Sequence, residues 1–177
     1  MKKNIEIRRA TLNDAEEILN IYSYYVEKTA VSFEYEVPTL KNFCERIKKI
    51  SKKYPYLVAE CEKKIVGYAY AHEFIPREAY KYSAELTIYL DKNFRRQGLG
   101  KKLYSSLEKI LKEIGILNLY ACIGSIEIED EFLNHDSKNF HEHLGFKIVG
   151  KFQKCGYKFN RWYDMVWMEK IIGEHLQ

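Results

Sequence analysis

The sequence lacks most of the features that mark membrane, secreted and metal-binding proteins. No apolar run reaches the roughly 18 residues that a membrane-spanning helix needs. The basic N-terminus passes straight into an alternating pattern without an apolar segment, so we expect no signal peptide. The four cysteines form no CxxC pair, which argues against a metal centre or a disulfide framework. We therefore expect a cytoplasmic protein with buried free thiols, no metal and no membrane partner.

The sequence also has little excess charge and few chain breakers. Its 29 basic and 25 acidic residues leave a net charge of +4, whereas nucleic-acid binding needs a concentrated basic face, so we expect no nucleic-acid partner. Only 3 prolines occur in 177 residues, and no linker-like stretch interrupts the sequence. Both observations favour a single domain over residues 1–177. Aromatic residues are abundant, with 15 tyrosines and 9 phenylalanines, enough for a core and for the lining of a small polar pocket.

Apolar periodicity predicts an α/β (α+β) fold in the order β-α-α-β-β-β-α-β-α-β-β. The strand-like runs suggest a mixed central sheet of about seven strands with helices on both faces. Strands are predicted at residues 56–61, 65–71, 83–90 and 117–123, among others. Helix starts are predicted at Thr11 or Asn13, after Thr39, and at Asp136 or Ser137, because these side chains cap helices well.

A basic loop with two glycines lies between a predicted strand and an amphipathic helix. Gly98 and Gly100 would let a diphosphate approach the backbone at the helix start, where free N–H groups favour an anion. The loop fits neither the Walker GxxxxGK[ST] pattern nor the dinucleotide GxGxxG pattern. Taken alone, it could equally be a capped helix with a solvated cationic turn.

Arg95, Gly98 and Gly100 resemble the R/Q-x-x-G-x-G/A signature of the GNAT superfamily of N-acetyltransferases, and the resemblance spans nearly the whole chain. It is strongest to the phosphinothricin and methionine sulfone N-acetyltransferase group, through residues 54–60, 67–71, 79–89, 98–100 and 141–146. It implies the GNAT fold, acetyl-CoA as cosubstrate without a metal, and transfer to the primary amine of a small amino acid or analogue. It further implies direct attack in a ternary complex, and a homodimer to which residues 162–164 contribute.

The resemblance also implies a set of contacts for acetyl-CoA: the backbone of one strand on the pantetheine arm, the basic loop on the pyrophosphate, and an asparagine near the pantetheine. The acidic run at 126–131 lengthens the segment before that asparagine. The cofactor-binding candidates are Ile88, Tyr89, Leu90, Arg95, Arg96, Gln97, Gly98, Leu99, Gly100, Lys101 and Asn134.

Acetyl transfer to an amine needs a base, because free amines have pKa values of about 8 to 10 and are protonated at pH 7. Glu85 lies on the polar side of its strand, three residues before the expected pantetheine segment, and matches the family's catalytic glutamate. His141 matches the position that carries histidine in the phosphinothricin group, and a histidine near neutrality can serve as acid. Alternatively, the two are a solvent-facing strand glutamate and a helix-surface histidine.

The acceptor site is the least defined part of the sequence. The resemblance implies Phe33, Arg77, Tyr80 and Tyr82, with Arg77 available to pair with a carboxylate. The loop at 74–78 departs from the family pattern. Two other functions stay open: acetylation of a protein N-terminus or a polyamine, for which the acidic run would form a groove, and a non-catalytic acyl-CoA-binding or nucleic-acid-binding module.

Overall fold

The computed structural model describes residues 4–176, in which seven strands form one mixed sheet. The strands are β1 (Ile5–Arg9), β2 (Tyr56–Cys61), β3 (Lys64–Glu73), β4 (Ser83–Leu90), β5 (Asn118–Ser125), β6 (Lys147–Lys158) and β7 (Arg161–Ile171). The helices are α1 (Ala15–Lys28), α2 (Leu40–Ser51), α3 (Leu99–Glu113) and α4 (Asp136–His143). The strand order is β1-β2-β3-β4-β5-β7-β6, and among these strands of residues 4–176 only the β4–β5 pair is parallel. This confirms the predicted element order and fold class.

Helix α3 covers one face of the sheet. Its leucines at 99, 103, 107 and 111 repeat every four residues and are all buried, against Ala84 and Leu86 of β4 among others. Burying one such leucine contributes about 1.5–3 kcal/mol, so this stripe supplies much of the stability of the face. Helices α1 and α2 cover the opposite face, where Tyr22 and Phe43 pack against buried tyrosines of β2 and β3.

Two predicted helix starts differ in the structure. Thr11 caps a short 3-10 turn, Leu12–Asp14, in which Asp14 accepts hydrogen bonds from Thr11 and pairs with Arg8, and this turn leads directly into α1. Helix α4 begins at Asp136, but its N-cap is His135 rather than Asp136 or Ser137. The start of α2 is as predicted, with the Thr39 side chain accepting from the Asn42 N–H.

The expectation of buried thiols is wrong for most of the cysteines. Cys61 is buried in the core, whereas Cys44 is half-buried and both Cys122 and Cys155 are exposed. Cys122 alternates outward on β5 between the buried Ala121 and Ile123, a position that the apolar run at 117–123 did not reveal. All four are free thiols.

Strands β4 and β5 separate partway along their length. Their parallel register runs through Ser83–Asn118 and Ala84–Leu119 and ends at Glu85–Tyr120. The second half of β4 continues to pair with β3, and the second half of β5 with β7, so the sheet opens between them. Parallel strands that diverge leave backbone groups and side chains facing a gap, which is where a ligand can enter a sheet.

A buried ammonium group ties the end of α1 to the last hairpin. The side chain of Lys158, at the end of β6, donates hydrogen bonds to the carbonyls of Val26, Thr29 and Ser32 at 2.6–2.9 Å. Two of these carbonyls belong to the last turn and C-cap of α1, where a cation is favoured by the helix dipole. The contact fixes the segment that leads to Val31.

Candidate active site

The gap between β4 and β5 is a cavity of about 300 Å³. Strand β3, helices α3 and α4, the segment after α1 and the loop before α4 contribute the rest of its wall. Its lining consists of Val31, Tyr70, His72, Glu85, Leu86, Thr87, Ile88, Tyr89, Tyr104, Ala121, Cys122, Ile123, Gly124, Leu133, Ser137 and His141. Both sequence-predicted catalytic residues, Glu85 and His141, therefore face one cavity.

Glu85 sits at the point where β4 and β5 part. Its side chain is 18% exposed, and burial raises the pKa of its carboxyl above the usual value, while the positive form of His72 opposes that rise. A carboxylate with a raised pKa accepts a proton more readily near neutrality than a solvated one. The structure therefore places Glu85 inside the cavity with a raised pKa, and its role as base stays a prediction.

His72 is a partner of Glu85 that the sequence analysis overlooked. The two residues are directly opposite each other in the β3–β4 register, and His72 Nε2 lies 3.7 Å from Glu85 Oε2. The predicted strand stopped at residue 71, whereas β3 continues to Glu73 and so carries His72 into the pairing. Counting back from Glu85 through the hairpin register would have found it.

His141 differs from the expectation of a pKa near neutrality. It is 3% exposed, its Nδ1 lies 2.7 Å from the Ser137 carbonyl and its Nε2 lies 2.9 Å from the Tyr104 hydroxyl. Burial lowers the pKa of His141 to about 4, so the ring is neutral at pH 7. Because a carbonyl only accepts, Nδ1 carries the proton and Nε2 accepts from Tyr104. Tyr104, a buried α3 residue that helical spacing alone assigns to the core, thus joins the cavity wall.

The start of α3 has the geometry of an anion site. Gly98 is the N-cap with φ +76°, and a Cβ there would meet no atom within 4 Å, so the space beside it is open. No side chain of the described residues caps the first turn, which leaves its N–H groups to face that space. Gly100 has another role: a Cβ there would lie 2.8 Å from the Phe140 ring, so its smallness allows α3 to pack against α4.

The side chains of the basic loop are held by different partners. Arg95 lies over the Tyr25 ring at 5.1 Å, Arg96 has φ +59° and pairs with Asp136 at 3.0 Å, and the Gln97 amide donates to the Asn93 carbonyl. Lys101 borders a second hollow beside Gly98. The loop is thus shaped by local contacts around the helix start, and its predicted role with pyrophosphate stays a prediction.

The expected pantetheine contacts divide into two groups. Ile88 and Tyr89 line the cavity. Leu99, a candidate from the predicted pyrophosphate loop, is buried in the core. Leu90 lies outside the lining: its carbonyl accepts from the Tyr25 hydroxyl at 2.6 Å and its N–H donates to the same oxygen at 3.2 Å. A ligand would have to displace Tyr25 to reach the Leu90 backbone.

Asn134 is exposed and lies outside the cavity lining, where the structure instead places Leu133 and Ser137. The Asn134 side chain bonds with Asp136 at the start of α4. The acidic run before it forms local contacts as well. Asp130 accepts from the backbone of Phe132 and Leu133 and pairs with Arg161, which also contacts Glu131.

The four acceptor candidates also lie outside the cavity lining. Arg77, Tyr80 and Tyr82 are exposed residues of the segment between β3 and β4, and the Tyr80 ring packs against Phe74. Phe33 covers Gly156 and comes within contact distance of Gly124, which does line the cavity. Among residues 4–176, no cluster of His, Cys, Asp and Glu could hold a metal ion, and no helix is long and apolar enough to cross a membrane.

Comparison with known proteins gives a consistent result. A family model described as an acetyltransferase (GNAT) domain matches residues 7–167. The phosphinothricin N-acetyltransferase of Streptomyces viridochromogenes is 33% identical over 164 residues, which is 93% of this chain and 86% of that protein.

Two solved structures have the same fold over nearly their whole length. A GNAT phosphinothricin acetyltransferase from Sinorhizobium meliloti, in complex with acetyl-CoA, has a TM-score of 0.87 and 31% identity over 96% of this chain and 89% of that chain. A ribosomal-protein-alanine N-acetyltransferase from Brucella melitensis has a TM-score of 0.85 and 33% identity over 94% and 99%.

Proposed function

The chain belongs to the GNAT acetyltransferase family, and we propose on that premise that it acetylates the α-amino group of a small amino acid or amino-acid analogue. It is an acetyl-CoA-dependent N-acetyltransferase. One observation carries the proposal: Glu85, a partly buried carboxylate, lies in the cavity at the point where β4 and β5 separate. An amine in that cavity could lose its proton to Glu85, directly or through one water.

We propose direct attack of the amine in a ternary complex. Cys122 is exposed to the cavity rather than packed in the core, but partial desolvation by the surrounding wall and the Glu85 carboxylate raise the pKa of its thiol to about 12. At pH 7 it carries almost no thiolate, so it is a poor carrier for an acetyl group. The leaving group is itself a thiol with a pKa of about 8.5, so it departs without a strong acid. Neutral His141, with no proton on Nε2, then serves to orient the Tyr104 hydroxyl.

We propose that the loop at 95–101 and the first turn of α3 hold the pyrophosphate of acetyl-CoA. The open space beside Gly98 and the uncapped helix start support this assignment. Two glycines at opposite ends of α3 allow a matched test, because Gly98 and Gly115 both have positive φ and open space around them. Alanine at either position should lower the melting temperature similarly.

Only Gly98→Ala should also reduce the rise in melting temperature that acetyl-CoA produces, since a ligand stabilises the state that binds it. Equal reductions in Gly98→Ala and Gly115→Ala would contradict the placement of the pyrophosphate. Absence of any rise in the wild-type protein at millimolar acetyl-CoA would contradict the enzyme assignment.

The proposed acceptors are phosphinothricin, methionine sulfone and methionine sulfoximine, short amino acids whose side chains end in a tetrahedral oxygenated centre. Arg77 and the nearby tyrosines are the proposed carboxylate and side-chain contacts. The likeness to a ribosomal-protein-alanine acetyltransferase makes a protein N-terminus the second candidate. A polyamine is less favoured, because Asp130 and Glu131 already pair with Arg161.

A thiol-release assay across an amine panel decides between these candidates. The panel contains the three amino acids, their decarboxylated analogues, spermidine and a short peptide with an N-terminal alanine. A site with donors for the carboxylate should reject the decarboxylated amines by at least about 10²-fold in kcat/KM. A higher kcat/KM for the peptide or for spermidine would replace the amino-acid assignment.

We further propose a cytoplasmic homodimer. Free thiols at exposed Cys122 and Cys155 fit a reducing compartment. Strand β6 is an edge strand with Ile148 and Phe152 exposed, and Trp162 at the hairpin is 58% exposed. Phe152→Ser with Trp162→Ser should shift light-scattering mass from 2 copies toward one, as loss of an apolar interface predicts. A monomeric wild-type protein would contradict the dimer.

A further inference from the structure

His72 is held so that one ring nitrogen faces Glu85. Its Nδ1 lies 3.0 Å from the Glu73 carbonyl, and because a carbonyl only accepts, Nδ1 carries a proton. Nε2 is then the free nitrogen, 3.7 Å from Glu85 Oε2. Two lone pairs facing each other across this gap are unfavourable unless one proton lies between them. A small approach, or one water, completes the connection.

The rest of the cavity wall offers Glu85 no other counter-charge. The other titratable groups of the lining are Tyr70 from β3, Tyr89 from β4, Tyr104 from α3, Cys122 from β5 and His141 from α4. All five are neutral at pH 7: desolvation raises the pKa values of Tyr70 and Cys122 to about 12, raises those of Tyr89 and Tyr104 well above the usual tyrosine value, and lowers that of His141 to about 4. Among the described lining residues, none is a lysine or arginine.

Exposure differs between the two partners. The side chain of Glu85 is 18% exposed and that of His72 is 34% exposed, so His72 is the more open of the two to water. A proton taken up by Glu85 must leave before the next turnover, because a protonated carboxyl cannot act as base. His72 stands next to Glu85 with access to solvent.

We propose that Glu85 and His72 act as one proton-sharing pair, in which His72 is the positioning residue that returns Glu85 to its carboxylate form. This rests on the acetyltransferase function proposed above. The N–H bond of the ammonium breaks and a proton binds Glu85 Oε2, which leaves the lone pair on the amine. That proton then moves to His72 Nε2, the ring becomes imidazolium, and the ring releases a proton to water. While charged, the ring also favours the carboxylate form of Glu85.

The first test is the pH profile of His72→Gln, which keeps the reach of the side chain but cannot hold a charge. With the effect of burial on Glu85 left unopposed, the acid limb of kcat/KM should move to higher pH, so that the loss relative to wild type is largest at acid pH and closes to within about twofold at pH 9. His143→Gln, at an exposed histidine of α4, is the matched control and should keep the wild-type profile. An unchanged acid limb in His72→Gln and His72→Asn would overturn the pairing.

A double-mutant cycle separates action through Glu85 from a general effect on folding. In the Glu85→Gln background, His72→Gln should cause little further loss, because the pair is already broken. Independent, multiplying losses would mean that His72 acts elsewhere. The melting temperatures of all variants identify any that fold poorly.

A readout without acetyl-CoA completes the test. Carboxyl carbon NMR, with Glu85→Gln to identify the resonance, should show Glu85 titrating at higher pH in His72→Gln than in wild type. An unchanged Glu85 titration overturns the inference even if the enzyme is active. Wild-type protein that binds acetyl-CoA but acetylates no amine overturns the proposed function instead, so the two failures are distinguishable.

Discussion

Two histidines on the wall of the same cavity have opposite surroundings. His72 lies beside a carboxylate with a third of its side chain exposed, whereas His141 is buried between the Tyr104 hydroxyl and the Ser137 carbonyl. The first therefore faces a negative charge and water, whereas burial lowers the pKa of the second to about 4. The comparison teaches that a histidine at a position matching the family's is not enough to predict a proton-transfer role. The hydrogen-bond or charge partner of the ring and its access to water must also be known.

The largest effect should follow from removing the carboxylate on which the comparison depends. Glu85→Gln should lower kcat at pH 7 by about 10²- to 10⁴-fold, because the amine then has no base. The loss should shrink as pH rises and more amine is neutral, while acetyl-CoA affinity, measured by calorimetry, stays close to wild type. If Glu85→Gln kept wild-type turnover at pH 7, Glu85 would not be the base. The position of His72 beside it would then no longer distinguish His72 from His141 in catalysis.

A second effect concerns stability and belongs to His141. Its pKa is about 4 in the folded protein and 6.5 when unperturbed, so between those values the unfolded chain binds a proton that the folded protein does not. Stability should therefore fall by roughly 3 kcal/mol as pH drops from 6.5 to 4. Urea unfolding across this window should show a flatter pH dependence in His141→Gln.

The Glu85 carboxyl titrates in the opposite sense, since its pKa is raised and low pH favours its folded form. The contribution of Glu85 is removed by comparing the double variant, Glu85→Gln with His141→Gln, with the single variant Glu85→Gln. Equal slopes in the two proteins would mean that His141 is protonated in the folded state, as first expected from the sequence.

A smaller effect should follow from Tyr104→Phe. The change removes the O–H that donates to His141 Nε2 and should cost about 1–2 kcal/mol of unfolding free energy, or a few degrees in melting temperature. If the Tyr104 hydroxyl serves only as a hydrogen-bonded part of the cavity wall and donates no proton in the reaction, kcat should fall less than about tenfold. A loss as large as that of Glu85→Gln would make Tyr104 a proton donor in the reaction.

The smallest effect is expected for Cys122→Ala, which removes a thiol with a pKa of about 12 from the cavity wall. With no thiolate to carry an acetyl group, kcat should stay within about twofold of wild type. Mass spectrometry of the protein after acetyl-CoA alone should show no acetyl adduct. An adduct that is lost in Cys122→Ala would contradict direct attack.

The fold and the position of Glu85 followed from local patterns. Alternation in residues 83–90 gave both the strand and the side that Glu85 occupies, and helical spacing gave the buried stripe of α3. The role of Gly100 did not follow, because the Phe140 ring that requires a glycine comes from a helix about 40 residues later.

The chemistry of the site was less predictable, because it depends on contacts between elements. His72 required the register of a hairpin whose strand runs two residues further than its apolar pattern. The pKa of His141 could not be predicted without knowing that α4 packs against α3 and buries the ring beside Tyr104. The acidic run suggested a groove, but Asp130 uses its carboxylate on its own loop and on Arg161.

The Lys158 ammonium has a consequence for the order in which the site is assembled. Its hydrogen bonds connect Lys158 to residues that precede it in the sequence by 126 to 132 positions. The end of α1 and the wall segment carrying Val31 are therefore anchored only after nearly the whole chain has been synthesised. Contacts of such long separation form late and slow folding. During synthesis, Glu85, His72 and the α3 loop are present long before the cavity can close around them. A chain ending before β6 would contain Glu85 and His72 but would lack the Lys158 ammonium that fixes the opposite wall.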